Sequence, residues 1–370
     1  MLPYLIPIIV SSIFAVAYRV NFLKLGKTIY GAAFFAIAVF AGLGFEMGMD
    51  WDAYDRFFSS LNLADNPFVL YFDQNAVSPK FEIGFYLLNY VIKYVGGTYS
   101  LVLLLASVFC AYSVYTFTKN FAVNKFYILT IYFTHAFIIL HFAQVRQSIA
   151  IGFFLLGCTH YLKRRKKLSA LTIAMIGPLF QISSLIYVFL LTLVFWWPEK
   201  IKSLKGIVVI TTILFMVTFV TYFSDAFTAI IYFANATTVS KIEVYRETQI
   251  EQSTSLLFYL AYLSLVVYYI FINIKDLSLD YLFIFKFAIA SLLLSVLMSM
   301  IFPGVYAMYS RIYVVASIFQ ALALSLIFSK KKGLIHDTVF VMTILVSIIS
   351  YYRILDTYKE LFIPYQSIIG

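Results

Sequence analysis

Charged residues are scarce in this sequence. Only 12% of its 370 residues are Asp, Glu, Lys or Arg, while 63% are hydrophobic. A soluble domain of this size would present more polar surface to water. Repeated apolar segments of about 20 residues are instead typical of membrane-spanning helices. The composition therefore excludes a soluble globular protein and predicts an all-α, polytopic transmembrane helix bundle.

Other features are missing as well. The only cysteines, Cys110 and Cys158, lie inside apolar segments, so we expect core residues and no disulfide. We find no paired CxxC motifs, no glycine-rich phosphate loop and no HExxH, and we expect no metal and no cofactor. No internal repeat is evident, so the inverted-repeat signature of many transporters is missing. The first apolar segment begins at Leu2 without a basic region or a cleavage site, which predicts a retained helix.

The formal net charge of +10 comes from cations in short loops between apolar segments. This pattern indicates membrane orientation and makes nucleic acid a poor explanation. The strongest signal is the loop Lys163–Lys167, five consecutive cations that we expect on the cytoplasmic side. Counting from that loop predicts about 12 crossings in a single integral membrane domain, 1–370, with both termini outside. The predicted spans are Leu2–Tyr18, Tyr30–Phe45, Tyr99–Thr118, Phe126–Phe142, Gln147–Leu162, two short helices within Leu168–Pro198, Gly206–Phe223, Leu256–Ile272, Leu282–Phe302, Ile312–Phe328 and Leu334–Tyr351.

Two polar segments are expected outside the membrane. Residues 46–97 form an acidic external loop, and 224–255 form a second external loop. Within the first, Phe81–Tyr94 is apolar, but a crossing there would place the five cations outside. We therefore predict an interfacial or re-entrant helix.

Arg146 is the one formal charge between Lys125 and Lys163, and it lies where two predicted spans meet, with Gln147 beside it. A cation near membrane depth usually faces a cavity, a partner or the interface. A guanidinium also suits a diphosphate, because its fork can donate two hydrogen bonds to one phosphate. The alternative is an arginine that anchors a helix end in the lipid headgroups.

Candidate sugar-binding and catalytic residues lie in the acidic segment. Asp50, Trp51, Asp52 and Tyr54 fall in one short loop. Carboxylates beside an aromatic ring are common in sugar sites, and a carboxylate can act as general base toward a hydroxyl. Glu82 is a further candidate base. The alternatives are a solvated acidic loop and, for Glu82, a first-turn residue favoured by the helix dipole.

Four more residues complete the candidate set. His141, near the external end of its span, is either a reserve base or a packed residue. Gln181 is expected at the same height as Arg146, on a neighbouring helix. Arg311 lies where an external loop meets a helix, and it suits either a phosphate or lipid headgroups. Arg353 is expected in the external tail.

Several of these stretches together resemble the EpsG family, Wzy-like polysaccharide polymerases of bacterial inner membranes. The similarity runs in order through Gly48–Tyr54, Glu82–Phe85, Arg146–Ala150, the basic loop and Phe180–Ser183. The sequence departs from the family pattern at Gln181, where the family usually has histidine. The resemblance implies a multi-pass protein of the inner membrane that is similar to GT-C-type membrane glycosyltransferases.

The resemblance also implies a reaction, in which an undecaprenyl-diphosphate-linked glycan is transferred to the terminal sugar of another lipid-linked repeat unit at the external face. The partners would be this lipid-linked oligosaccharide, the bilayer and, where chain length is controlled, a chain-length regulator. Arg146 and Arg311 would bind the diphosphate, and the acidic loop would hold the acceptor. Two alternatives remain open, a lipid-linked oligosaccharide flippase or transporter, and another transferase such as an O-antigen ligase or an acyltransferase.

Overall fold

The structure is a computed structural model that describes residues 2–20, 27–48, 50–63, 71, 81–121, 123–197, 253–273, 279–301 and 306–367. Their regular secondary structure is helical, which confirms the all-α class. The chain divides into two compact units, the first made of Met1–Thr192 and Phe328–Gly370 and the second of Leu193–Ile327. The prediction of one integral domain is not tested by this division and stays a prediction.

The helices are numbered in chain order. They are α1 Leu2–Arg19, α2 Lys27–Gly42, α3 Trp51–Ser60, α4 Ile83–Tyr94, α5 Tyr99–Thr118, α6 Lys125–Tyr132, α7 Val145–Arg164, α8 Lys167–Ala174, α9 Leu185–Trp196, α10 Ser253–Asn273, α11 Leu279–Ile301, α12 Tyr306–Lys330, α13 Leu334–Thr357 and α14 Lys359–Phe362. Two π-helical turns, Phe133–Phe137 and Ile139–Ala143, extend α6. Two 3-10 turns, Gly177–Leu179 and Ile182–Ser184, lie between α8 and α9.

Among the described residues, five helices are long and apolar enough to cross a membrane. They are Tyr99–Thr118, Lys125–Ala143, Tyr281–Met298, Ser310–Lys330 and Leu334–Asp356. Shorter apolar helices, α1 and α2 among them, coincide with other predicted spans. The predicted pair of short helices after the basic loop is present as α8 and α9. The number of 12 crossings stays a prediction, since the span 206–223 and the loop 224–255, except its last three residues, lie outside the described residues.

The extended α6 is the centre of the first unit, whereas α13 lies at its surface. Side chains are buried over 94% of the α6 span but only 33% of the α13 span. On α13, Val341, Leu345 and Ile349 are exposed apolar residues. Such a surface suits contact with lipid acyl chains rather than water, because an apolar side chain loses no hydrophobic free energy when it is exposed to lipid.

The first unit has two chemically different ends. At one end, which we call the Arg19 end, Arg19 pairs with Asp337 and donates to the carbonyl oxygens of Phe328 and Lys331. The basic loop after α7 also lies at this end, because α7 runs away from Arg146. We call the opposite end, where α7 begins, the Arg146 end. The positive-inside rule expects such an excess of cations on the cytoplasmic side, so a cytoplasmic Arg19 end stays a prediction.

Helix α4 lies along the Arg146 end. It has 12 residues, about 18 Å, which is too short to cross a bilayer. Glu82, just before its start, pairs with Arg146. Lys93, in its last turn, donates to the carbonyl oxygens of Phe58 and Ser59 at the end of α3, at 2.9 and 2.6 Å. One end of α4 thus contacts the start of α7 and the other contacts the end of α3, while its location at a membrane interface stays a prediction.

One sequence interpretation was wrong. We expected Asp50, Trp51, Asp52 and Tyr54 in one short loop, but Trp51–Ser60 is the helix α3 and Asp50 is its N-cap. The pattern explains this, since the apolar side chains at 54, 57 and 58 recur at helical spacing and form a buried face.

The C-terminal tail covers the segment that leads into α3. Tyr365 stacks on Phe40 with ring centroids 4.3 Å apart, and its hydroxyl donates to the Phe40 carbonyl at 2.6 Å. The backbone N–H of Gly48 donates to Leu361 at 3.3 Å. Tyr4 donates to the Phe362 carbonyl at 2.9 Å, so the two ends of the described chain meet at the Arg146 end.

A test of this packing uses Gly157 of α7. A Cβ built there would lie 2.6 Å from the backbone oxygen of Ala170 on α8. We expect Gly157→Ala to lower stability by about 1–3 kcal/mol, because two helix backbones must separate. The measurement is the thermal unfolding midpoint in detergent. Gly31→Ala is the matched control, since its Cβ would meet only the Tyr115 side chain at 3.4 Å. Equal midpoints for the two variants would contradict the α7–α8 contact.

Candidate functional site

Arg146 lies at a sharp junction between two helices, as the sequence predicted. The extended α6 ends in a π turn at Ala143, and only Gln144 separates it from α7. Gln144 leaves the helical conformation with φ −134° and ψ 61°. The N–H of Gln144 bonds the oxygen of Ile139 five residues back, at 2.8 Å. Arg146 is therefore the second residue of α7, where the first backbone N–H groups of a helix have no intrahelical acceptor.

The guanidinium of Arg146 is held from two sides. Nε donates to the hydroxyl of Tyr54 at 3.1 Å, and Nη1 pairs with Oε2 of Glu82. The ring of Phe81 lies 4.7 Å from Cζ and covers one face of the guanidinium. Nη2 donates no hydrogen bond to any residue that the structure describes, and the side chain remains 20% exposed. One donor group thus stays available to a ligand.

Glu82 links Arg146 to the turn between α8 and α9. Its Oε1 accepts a hydrogen bond from the backbone N–H of Ile182 at 3.0 Å. Gly84 makes this approach possible, because a Cβ there would lie 2.7 Å from the backbone oxygen of Leu179. Both carboxylate oxygens of Glu82 are therefore hydrogen-bonded, one to a cation and one to a backbone donor.

Tyr54 connects Arg146 to Asp50. Its hydroxyl accepts from Arg146 and donates to Oδ2 of Asp50 at 3.3 Å. Burial, the largest cause, raises the pKa of Tyr54 to about 12, and the Asp50 carboxylate acts in the same direction, while Arg146 opposes them. Because this pKa is far above neutral pH, the hydroxyl stays protonated and remains a donor to Asp50.

Four helical segments begin around this network. Their N-cap residues are Asp50 for α3, Glu82 for α4, Gln144 for α7 and Gln181 for the second 3-10 turn. The start of an α-helix carries partial positive charge and unpaired N–H donors. Together with Arg146, the start of the 20-residue α7 makes this a place that favours anions.

Two predicted polar residues pack behind Arg146. Gln147 is buried, and its amide donates to the hydroxyl of Tyr187 on α9 at 2.6 Å. Gln181 is also buried, and its amide donates to Ser183 at 3.3 Å. Gln181 lies next to the residue that bonds Glu82, so the turn and Arg146 do lie at the same level. Direct contact of either amide with a substrate stays a prediction.

His141 lies inside the helix bundle. Nδ1 is 2.7 Å from the hydroxyl of Ser107, and Nε2 is 2.7 Å from the hydroxyl of Tyr132. Both ring nitrogens are thus engaged with buried side chains, which favours a packing role over that of a base.

The remaining candidates lie apart from the network or at its margin. Asp52 is exposed in the first turn of α3. Trp51 packs between Phe45 and Tyr99, at 5.2 and 6.0 Å between ring centroids. Arg353 is exposed on α13. Arg311 belongs to the second unit, so its convergence with Arg146 stays a prediction.

Sequence reasoning missed three contributors to the site. They are the Phe81 ring over Arg146, the backbone N–H of Ile182 and the buried Tyr99. The hydroxyl of Tyr99 and Nε1 of Trp51 are buried without a hydrogen-bond partner among the described residues. Phe81 adjoins Glu82 and was detectable as its neighbour, whereas a backbone donor leaves no trace in side-chain patterns.

Comparison with known proteins gives one match. A family model described as the EpsG family matches residues 27–367. No curated protein and no solved structure matches the chain. Among the described residues, no group of three or more His, Cys, Asp or Glu side chains is placed to hold a metal ion.

The ion pair at the centre of the site can be tested by a double-mutant cycle. We expect Arg146→Gln to destabilise the protein, because it leaves the half-buried Glu82 carboxylate without its cation. Adding Glu82→Gln should recover part of the loss, with a coupling free energy on the order of 1 kcal/mol from unfolding midpoints. Asp52→Asn is the control partner, since Asp52 is exposed, and its effect should add to that of Arg146→Gln. Additivity in both cycles would contradict the ion pair.

Proposed function

The chain belongs to the EpsG family, and on that premise we propose that it is a metal-independent membrane glycosyltransferase that polymerises a polysaccharide. The family is one of polysaccharide polymerase-type membrane proteins, and the apolar helices agree with it. In the proposal, the Arg146 end faces the outside of a bacterial inner membrane. The donor is an undecaprenyl-diphosphate-linked glycan, and the acceptor is the terminal sugar of another lipid-linked repeat unit.

The observation that carries this proposal is the guanidinium of Arg146, oriented by Tyr54 and Glu82 with Nη2 still available. A planar guanidinium matches the oxygens of a phosphate. Its place at the start of α7 adds backbone donors and the helix dipole. A lipid-linked diphosphate must be approached from the membrane, and Arg146 lies at the end of apolar helices.

The reaction follows from these contacts. An acceptor hydroxyl oxygen attacks the anomeric carbon of the donor, and the bond from that carbon to the diphosphate oxygen breaks. Negative charge grows on the leaving undecaprenyl diphosphate, where Arg146 stabilises it. The hydroxyl proton passes to a carboxylate.

Asp50 is the carboxylate that the geometry favours as base. Both oxygens of Glu82 already accept hydrogen bonds, and Asp52 is exposed. Asp50 accepts from the hydroxyl of Tyr54, which in turn accepts from Nε of Arg146. The base and the diphosphate ligand are thereby coupled in one network.

Arg146→Lys tests the diphosphate assignment. We expect long polymer to fall about 100-fold or more while single repeat units persist, because one charge-stabilising donor is worth about that much and Lys cannot reproduce the fork. The measurement is the chain-length distribution of glycans from cells. Arg56→Lys, an exposed arginine of α3, is the matched control and should leave the distribution unchanged.

An unchanged distribution in Arg146→Lys would remove the central assignment. Normal chains that are no longer attached to their final carrier would instead indicate a ligase.

Asp50→Asn tests the base. We expect kcat of the purified protein to fall about 100-fold or more with KM little changed, since general base catalysis contributes about that factor. Asp52→Asn should cost clearly less, and Asp356→Asn, an exposed carboxylate on α13, should cost nothing. A larger loss for Asp52→Asn than for Asp50→Asn would transfer the role to Asp52.

A further inference from the structure

Glu82 occupies a position built for a phosphate. Its two oxygens are bound by Nη1 of Arg146 and by the backbone N–H of Ile182, the latter at 3.0 Å. A guanidinium together with a backbone N–H is a typical donor set for phosphate oxygens. Among the residues that the structure describes, the acceptor that Nη1 of Arg146 shares with the Ile182 N–H is the side chain of Glu82.

We propose that the Arg146 guanidinium and the Ile182 N–H are ligands of the substrate diphosphate, and that Glu82 holds their place until the diphosphate displaces it. This inference rests on the proposed function and adds the backbone of the α8–α9 turn to the diphosphate site. It also makes Glu82 a positioning residue and not the base.

The ion pair is accessible enough for such an exchange. The side chains of Arg146 and Glu82 are 20% and 18% exposed, so a ligand and water can reach both. Breaking this ion pair costs less free energy than breaking a fully buried one, because water already reaches both charges. Nη2 of Arg146 provides a first contact for the incoming phosphate before Glu82 leaves.

Steric and electrostatic features hold the donors in place when Glu82 leaves. Tyr54 bonds Nε of Arg146, and Phe81 covers the guanidinium, neither of which depends on Glu82. The turn that carries Ile182 is fixed by its own bonds, from Gln181 N to Gly177 O at 3.1 Å and from Ser184 N to Gln181 O at 3.0 Å. The donor set is therefore preorganised, which lowers the cost of binding.

The exchange predicts that removing Glu82 strengthens binding of the diphosphate. We expect Glu82→Gln to bind undecaprenyl diphosphate about tenfold more tightly than the wild type, a change of about 1.4 kcal/mol, because Arg146 no longer has a competing anion. Glu82→Ala should bind more tightly still, because it also releases the Ile182 N–H. The measurement is the dissociation constant in detergent, by thermophoresis of the purified full-length protein.

Three further variants make the result specific. Glu360→Gln, an exposed glutamate on α14, should bind as the wild type does. Arg146→Lys should bind weakly, and adding it to Glu82→Gln should abolish the gain. Thermal midpoints measured alongside show whether Glu82→Gln is folded, which we expect because its side-chain oxygen can still accept from Ile182.

Unchanged or weaker binding by folded Glu82→Gln would overturn the inference. Glu82 would then be either a structural residue or the catalytic base. That failure is distinct from failure of the proposed function. If the wild type binds undecaprenyl diphosphate and extends chains, only the exchange is wrong. If the wild type does neither, the proposed function itself is wrong.

Discussion

The ion pair between Arg146 and Glu82 is the interaction on which the rest of the candidate site depends. Arg146 lies at the start of α7, and Glu82 lies at the start of α4, 64 residues earlier. The same carboxylate accepts the N–H of Ile182, so one side chain joins three segments that are distant in sequence. Tyr54 adds a fourth. Separating Arg146 from Glu82 costs free energy unless water or another ion takes the place of the lost partner.

The surroundings explain why this pair is kept. A charge near the bilayer is tolerated where it is paired or faces a polar cavity. Here the aromatic ring of Phe81 and the hydroxyl of Tyr54 stabilise the guanidinium without neutralising it, while the helix starts around it favour an anion beside it. The same arrangement suits a second anion, since the donors that hold a carboxylate also suit a phosphate. Structural stability and the proposed binding of a diphosphate thus use the same atoms.

Helices α3 and α4 form an aromatic layer at the Arg146 end. Lys93 caps α3 and Glu82 pairs with α7, so the two charged residues at the ends of α4 both make contacts at the Arg146 end. The aromatic residues of α3 and α4 fill the space between them, including Tyr54, Phe57 and Phe85. This layer holds Tyr54 between Asp50 and Arg146. The C-terminal tail, bonded to Gly48, fixes the segment that leads into α3 from its other side.

Several features followed from local patterns in the sequence. Apolar length and the placement of cations predicted the helical class, the limits of Tyr99–Thr118, the pair of short helices after the basic loop and the position of Arg146 between two helices. These features depend on hydrophobicity and charge within about 20 consecutive residues, which a sequence displays directly. The helix α3 was missed because the charged residues Asp50, Asp52, Asp55 and Arg56 outweighed the apolar spacing of this segment.

Only the tertiary structure decided which residues meet. Nothing in the spacing of Asp50, Tyr54, Glu82, Arg146 and Ile182 shows that they form one network, because their contacts depend on how α3, α4 and α7 pack. The same packing places His141, the reserve base of the sequence analysis, among buried hydroxyls and leaves the candidate base Asp52 exposed. Composition and local order determined that this protein is a helical membrane protein with a cation at a helix junction. Long-range packing decided what that cation binds, since neighbours in space are set by the burial of whole helix faces and not by any single segment.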